Sequence, residues 1–337
     1  MSDTDTIEPI GGATVDKAKS ADLDLDAVLK KVLRGETGKV NTHLIELRKD
    51  VLVGSTQTRL HCYFLPLDAH GRVRVKPLAE FLREQVIDYA IPRKTIQEAQ
   101  DQSKRTGSMA PISKLHERAK GLFTHLAKSG EGGELLLFAM AEAIFGLTQI
   151  ICKMTLKTSP SMHYHGSDGV YAQARTDGGL NLYWGESKIF GDVTKAIRDC
   201  LASLAPYLVD PDGQDSARHQ DILLINEFAN FGDERVVDGL KRFLDLDDPA
   251  SLKTRHCGIA LVGFNCDAYP EDAPQNTVEL IADAIKKQLS GWTDSVGNRV
   301  AHEKLENFDI HFICIPMRSA DEFRKHFLSL MGAPNEV

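Results

Sequence analysis

Hydrophobic and polar residues along this chain follow strand-like and helix-like periods in turn. In residues 59–67 apolar and polar positions alternate, which predicts a half-buried strand whose Arg59, His61 and Tyr63 side chains face solvent. Residues 77–91 begin with proline, a favoured first helical residue, and carry apolar side chains at helical spacing, so they predict a helix. Residues 133–156 are apolar almost all round, which indicates one long buried helix.

The second half of the chain repeats short apolar strands and amphipathic helices. Residues 168–175 and 180–188 predict the two strands of a hairpin, because residues 176–179 between them have the turn sequence Thr-Asp-Gly-Gly. The elements that follow are a helix capped by Asp192, a strand at 258–265, a helix at 277–292, a strand at 309–317 and a helix capped by Ser319 and ending at Gly332. This alternation predicts the α/β (α+β) class, with a mixed central β-sheet flanked by helices.

Composition divides the chain into three predicted regions. Residues 1–22 are acidic and poor in apolar side chains, which predicts a mobile tail. Residues 23–128 predict an N-terminal α+β region that includes a basic helical segment at 93–128. Residues 129–337 predict the core domain, with an acidic helical insertion at 209–250.

Charge and targeting signals narrow the classes of protein. The 337 residues include 40 Lys and Arg against 48 Asp and Glu, a net charge of −8, which excludes a general polycation that coats nucleic acid. Contact with a polyanion would use the basic segment 93–128, which is also explained as a solvated helix face. Because no signal peptide, membrane span or C-x-x-C pair is evident, we expect a reduced, cytoplasmic protein.

Acidic residues and one lysine cluster around the predicted hairpin. Residues two apart on a strand face the same way, so Glu186 and Lys188 project together while Ser187 points away. Antiparallel pairing about the turn at 176–179 places Asp168 across from them. Two carboxylates and one ammonium group are therefore predicted on one face of the sheet.

This grouping suits hydrolysis of a phosphodiester with the help of a divalent cation. Neighbouring carboxylates repel each other, and oxygen ligands favour Mg²⁺ or Mn²⁺ over zinc, so Asp168 and Glu186 are candidate metal ligands. Glu134, at the start of the predicted buried helix, would add a ligand or position water. Lys188 would orient or help to deprotonate the attacking water and stabilise charge on the phosphate.

The order of these residues resembles the PD-(D/E)XK nuclease superfamily, in which an Asp precedes a hairpin, an E-x-K tripeptide and a helix. The resemblance implies a restriction-endonuclease-like core with an N-terminal extension. It also implies that Asp168 is the first acid, that Glu186 opens the E-x-K element and that Glu134 is the upstream helical acid. Ser167 occupies the place of the proline that usually precedes the first acid.

The wider sequence is similar to the HamA family, the nuclease subunits of the Hachiman anti-phage defence system. The resemblance rests on GELLLFAMAE at 133–142, on Lys153-Met154, and on SDGV and WGESK around the hairpin, and it is firmest over 130–205. It implies a DNA endonuclease that is restrained and delivered by a partner superfamily-2 helicase (HamB-like). The helicase partner follows from the resemblance alone.

Two other classes of function are compatible with the same residues. If Glu186 and Lys188 form only an exposed ion pair, the chain is an inactive nuclease-like binding or regulatory subunit of a helicase complex. The apolar residues beside the pair favour a functional site, because burying charges without a purpose is costly. A phosphoesterase that acts on small nucleotides is the third class.

Three further groups of polar residues invite interpretation. Lys153 and Lys157 are explained either as phosphate contacts or as charges that complement a helix dipole. His163 and His165 predict a loop near the site rather than metal ligands, because no third ligand follows at a recognisable spacing. Glu142 is predicted to be a core carboxylate with its hydrogen bonds satisfied or a contact at the interface between helix and sheet.

Overall fold

A seven-stranded β-sheet with helices on both faces organises the chain in a computed structural model. The structure describes residues 25–34, 37–123, 130–156, 166–211, 213, 216–228, 234–271 and 273–332. The strands are β1 (Ile45–Leu52), β2 (Thr58–Phe64), β3 (Thr148–Gln149), β4 (Gly169–Ala174), β5 (Leu180–Phe190), β6 (Thr254–Asn265) and β7 (Ile310–Met317). The helices are α1 (Leu25–Val32), α2 (Thr37–Asn41), α3 (Val75–Glu84), α4 (Val86–Ala90), α5 (Arg93–Thr106), α6 (Ala110–Lys120), α7 (Glu131–Ala143), α8 (Val193–Val209), α9 (Ala217–Phe228), α10 (Glu234–Leu244), α11 (Val278–His302) and α12 (Ala320–Met331).

The sheet is mixed, with a parallel centre and antiparallel edges. Its order is β1-β2-β7-β6-β5-β4-β3. Strands β2, β7, β6 and β5 run parallel, whereas β1 pairs antiparallel with β2, and β4 pairs antiparallel with both β5 and β3. The predicted α/β class, with a mixed sheet flanked by helices, is confirmed.

Both faces of the sheet are buried, which corrects one prediction. Two hydrophobic clusters cover the sheet, one containing Trp184 and Phe312 and the other containing Tyr63 and Tyr183. His61 and Tyr63, predicted to face solvent, are fully buried. A central strand that is covered on both sides buries its polar positions too, and its sequence alternation then no longer marks a solvent-facing side.

The long helix predicted at 133–156 is wrong beyond its middle. Helix α7 ends at Ala143, and Gly146 adopts a left-handed conformation with φ of 64°. The chain then forms β3 and a 3₁₀ turn at Lys153–Leu156. Apolar runs predict burial but do not separate helix from buried strand, so the glycine turn decided the outcome here.

Most of the other local predictions are confirmed. Asp192 caps α8 by accepting a hydrogen bond from the N–H of Lys195, and Ser319 caps α12 in the same way. Gly332 ends α12 with φ of 94°, as the glycine signal predicts. The helix predicted at 77–91 instead forms two shorter helices, α3 and α4, which meet at Gln85.

The sheet is continuous across the predicted boundary between residues 128 and 129. Strand β2, from the predicted region 23–128, hydrogen-bonds to β7, from the predicted region 129–337. The acidic segment 209–250 contains α9 and α10, which pack on α8 and α1. The division into domains stays a prediction, and the tail predicted at 1–22 lies outside the described residues.

A buried carboxylate ties four segments together beside the sheet. Glu142 of α7 accepts hydrogen bonds from the N–H of Arg34 at 2.7 Å, Arg93 Nη2 at 3.1 Å and the N–H of Gln149 at 3.0 Å. The predicted satisfied core carboxylate is thus confirmed. Replacing Glu142 with alanine should lower the free energy of unfolding by about 3 kcal/mol, because it leaves buried donors without their acceptor.

Urea denaturation of Glu142→Ala measures this effect, with the exposed Glu98 of α5 replaced by alanine as the control. The control should stay within about 0.5 kcal/mol of the parent protein. Equal stability of the two variants would contradict the role assigned to Glu142.

Candidate active site

Strand β5 extends past the start of its neighbour β4. Strand β4 begins at Gly169, opposite Gly185, while β5 continues to Phe190. Among the described residues, 186–190 therefore pair only with β6. This open edge lies toward the carboxyl ends of the parallel strands, where α/β proteins commonly bind ligands.

Asp168 lies one residue before β4, and its side chain continues the hydrogen bonding between β4 and β5. Its N–H donates to the carbonyl of Gly185 at 2.9 Å. Its Oδ2 accepts hydrogen bonds from the N–H and from the Oγ of Ser187, both at 2.7 Å. The carboxylate thus satisfies an N–H that lies beyond the start of β4. Ser187 was predicted to point away from the site, but it directly orients the Asp168 carboxylate.

Glu186 and Lys188 form an ion pair beside Asp168. Glu186 is buried, whereas the Lys188 side chain is 26% exposed. Their strand positions place them on the α8 face of the sheet, and Ser187 faces α7, where a Cβ at Gly133 would lie 3.1 Å from its Oγ. The pair therefore lies at the open edge, with the lysine nearest to solvent.

The two carboxylates compete for positive charge. Burial, and then the charge of Asp168, raise the pKa of Glu186 to about 8, although Lys188 acts to lower it. Burial also raises the pKa of Asp168, against the effects of Lys188 and of the hydrogen bonds from Ser187. Burial lowers the pKa of Lys188, but Glu186 and Asp168 outweigh it and leave that pKa above its usual value. The ammonium groups of Lys188 and, more weakly, of Lys153 thus do not offset the burial of the two carboxylates.

Glu134 lies in the first turn of α7 and is oriented from another helix. The hydroxyl of Tyr89, in α4, donates to its Oε2 at 2.9 Å. Burial raises the pKa of Tyr89, and the charges of Glu134 and Asp168 add to this shift. Within the described residues, however, Glu134, Asp168 and Glu186 do not bring three ligand oxygens within 4.8 Å of one another.

One other group among the described residues has ligand atoms within that distance, namely Asp50, His61 and His311. Burial lowers the pKa of both histidines to about 3, so both rings are neutral at pH 7. The N–H of Asp50 donates to His61 Nδ1 at 3.2 Å, which assigns the ring proton to Nε2, 3.0 Å from His311 Nδ1. The two neutral rings are thus joined by a hydrogen bond from His61 Nε2 to His311 Nδ1.

Sequence patterns did not predict how three residues next to the site, Lys153, Ser167 and Asp221, contact one another. Lys153 Nζ donates to the carbonyl of Ser167 and to Asp221 Oδ2, each at 2.7 Å. Ser167 immediately precedes Asp168, and Asp221 comes from α9. Both interpretations of Lys153 are corrected, because its ammonium group binds internal acceptors and contacts neither the solvent-facing edge nor a helix end.

The remaining groups predicted from the sequence are the histidine loop, Lys157 and the basic segment. Lys157, His163 and His165 lie outside the described residues. The basic segment forms α5 and α6, separated at Gly107, whose φ is 69°. None of the described helices has the length and apolar character that crossing a bilayer requires.

Fold and site together define an α/β protein in which two carboxylates and a lysine meet at the open edge of a parallel strand. The family model of HamA matches residues 39–331, and the chain belongs to the HamA family, of the Hachiman anti-phage defence system. This confirms the family indicated by the sequence resemblance. No curated protein matches the chain.

Proposed function

We propose that this chain is a metal-dependent DNA endonuclease, the effector subunit of its anti-phage defence system. In this proposal a partner superfamily-2 helicase restrains it and delivers it to DNA. The observation that carries the proposal is the meeting of Asp168, Glu186 and Lys188 at the open edge of β5. The family membership supports the defence role.

The donor set fits a divalent cation of the Mg²⁺ or Mn²⁺ type. The pKa values of Asp168 and Glu186 are raised because the nearby cations do not offset burial of the two carboxylates, so a bound cation would stabilise them. Their hard oxygen ligands suit these ions. Asp168 and Glu186 would hold the ion, and Glu134 would position water molecules bound to it. When bound, such an ion supplies Lewis-acid polarisation of the phosphodiester.

Lys188 would contribute positive charge at the scissile phosphate. Because the pKa of Lys188 lies above its usual value, the side chain is protonated at pH 7. It can therefore donate hydrogen bonds to a phosphoryl oxygen as negative charge builds there, and this role is favoured over that of a base. Ser187 would keep Asp168 oriented while the phosphodiester binds.

The charge distribution favours delivery by a partner. The net charge of −8 opposes binding to DNA, whose affinity for proteins depends on phosphate contacts. Exposed cations on the two basic helices offer a local contact surface: Lys94, Lys104, Arg105, Lys114 and Arg118. Such a small surface would give modest affinity, which a helicase bound to the same DNA would raise by proximity.

Cleavage of supercoiled plasmid tests this proposal. The chain, with and without the partner helicase, is incubated with Mg²⁺ or with EDTA, beside Asp168→Asn. We expect nicked or linear DNA only with Mg²⁺, and none from the variant. Cleavage that survives Asp168→Asn would refute the site. DNA left intact in every mixture would favour a binding subunit, and hydrolysis of nucleotides alone would favour the phosphoesterase.

A further inference from the structure

A buried ion pair holds the residue immediately before Asp168. Asp221 Oδ2 accepts hydrogen bonds from Ser167 Oγ at 2.8 Å and from the N–H of Ser167 at 3.3 Å. Lys153 Nζ donates to the carbonyl oxygen of Ser167 at 2.7 Å and to its Oγ at 3.0 Å. The backbone N–H, the carbonyl and the side chain of Ser167 are thus all bound to this one pair.

These contacts fix the direction of the Asp168 carboxylate. The peptide group before Asp168 is held at both ends, because Lys153 binds the carbonyl of Ser167 and the carbonyl of Gly185 accepts from the N–H of Asp168 at 2.9 Å. After Asp168, the backbone of Gly169 pairs with Gly185 in the β4–β5 ladder. With the backbone fixed on both sides, few side-chain directions remain, and Ser187 selects one. Contacts that orient a metal ligand in this way raise the affinity of the site for its metal.

Stability of the fold does not explain the pair well. Asp221 is fully buried, and the side chain of Lys153 is only 11% exposed, so both charges lose most of their hydration. Among the described residues, Asp221 Oδ1 has no hydrogen-bond partner. This oxygen also lies close to the backbone of Gly166, where an added Cβ would come within 2.8 Å of it. A role in the neighbouring site accounts for a costly arrangement that an apolar core would avoid.

We propose that Lys153 and Asp221 are positioning residues, which orient Asp168 for metal binding through Ser167. Since Asp221 belongs to α9, the pair couples the packing of the acidic segment 209–250 to the candidate active site. A movement of α9 away from Ser167 would release Asp168 and weaken metal binding. This inference rests on the proposed metal-dependent nuclease function.

Binding of Mn²⁺ alone to the full chain, followed by electron paramagnetic resonance, tests the inference. For Asp221→Asn we expect at least a tenfold rise in the Mn²⁺ dissociation constant, the scale seen when outer-shell partners of metal ligands are removed. Asp238→Asn is the matched control, because it removes the same charge from an exposed position of the same acidic segment. The control should bind Mn²⁺ as the parent protein does.

A second variant distinguishes weaker metal binding from loss of the fold. Ser167→Ala keeps both charges of the ion pair and removes the hydroxyl, with its hydrogen bonds to the pair and to the carbonyl of Gly169. Its melting temperature should stay near that of the parent while Mn²⁺ binding weakens several-fold. Unchanged Mn²⁺ binding in both variants, with a parent protein that binds Mn²⁺ and cleaves plasmid, would overturn this inference and leave the nuclease proposal intact. A parent protein that neither binds Mn²⁺ nor cleaves DNA would overturn both.

Discussion

Replacing Lys188 with alanine should lower the rate of plasmid cleavage by about a hundredfold to a thousandfold, the effect of removing one donor from a charge-stabilising site. The loss should fall on the rate at saturating DNA, because the ammonium group acts where charge develops and not on the bulk of the DNA. Binding of Mn²⁺ should be retained, since Asp168 and Glu186 remain. Single-turnover cleavage and Mn²⁺ titration of the same preparation separate the two effects.

The matched control for this prediction is Lys286→Ala. Lys286 is an exposed lysine on α11 that pairs with Asp283, far along the chain from the hairpin. Its removal changes the net charge equally, so a general loss of DNA affinity would appear in both variants. Equal cleavage by Lys188→Ala and Lys286→Ala would remove Lys188 from the proposed mechanism.

Short-range signals predicted the hairpin that carries this lysine. The turn at 176–179 closes with the N–H of Arg175 donating to the carbonyl of Gly179 at 2.8 Å, and Gly178 has φ of 74°. Turn chemistry of this kind fixes register locally. The register in turn pairs Gly169 with Gly185 and so brings Asp168 next to Glu186, as expected from the sequence.

Interactions across long sequence separations could not be predicted in the same way. Lys153 and Asp221 are 68 residues apart, and no period or motif relates them. Within the acidic segment, Asp221 looks like its exposed neighbours, although Leu224 and Ile225 on the same helix mark a buried face. The role of Ser187 was missed because strand alternation gives directions and not contacts at a strand end.

Ser167 shows how a departure from a sequence motif is resolved by tertiary contacts. A proline before the first acid would fix its own backbone dihedral through its ring. Here a serine is fixed by hydrogen bonds to Lys153 and Asp221. The superfamily resemblance predicts an acid at position 168, whereas the contacts that hold the backbone before it could be found only in the fold.

The affinity of the chain for Mn²⁺ should rise by about tenfold from pH 6 to pH 7 and by about fivefold from pH 7 to pH 8. The raised pKa of Glu186, about 8, means that in this range a proton occupies the carboxyl group that the cation needs. Each unit of pH below that pKa makes displacement of the proton about tenfold harder. Titrations of Mn²⁺ at several pH values, at constant ionic strength, measure the slope.

Thermal unfolding tests the same raised pKa independently, through the direction in which stability changes with pH. Without a divalent cation, the folded chain keeps a proton on Glu186 that the unfolded chain releases near its ordinary pKa of 4.5, so this group favours folding less as pH rises toward 8. Added Mn²⁺ should oppose that decline, because it binds the ionised form. Glu186→Gln should make the decline smaller, with the raised pKa of Asp168 leaving part of it, and should abolish the Mn²⁺ effect. Glu279→Gln, at an exposed position on α11, should alter neither. A Mn²⁺ affinity that is the same at pH 6 and pH 8 would mean that Glu186 is not a ligand.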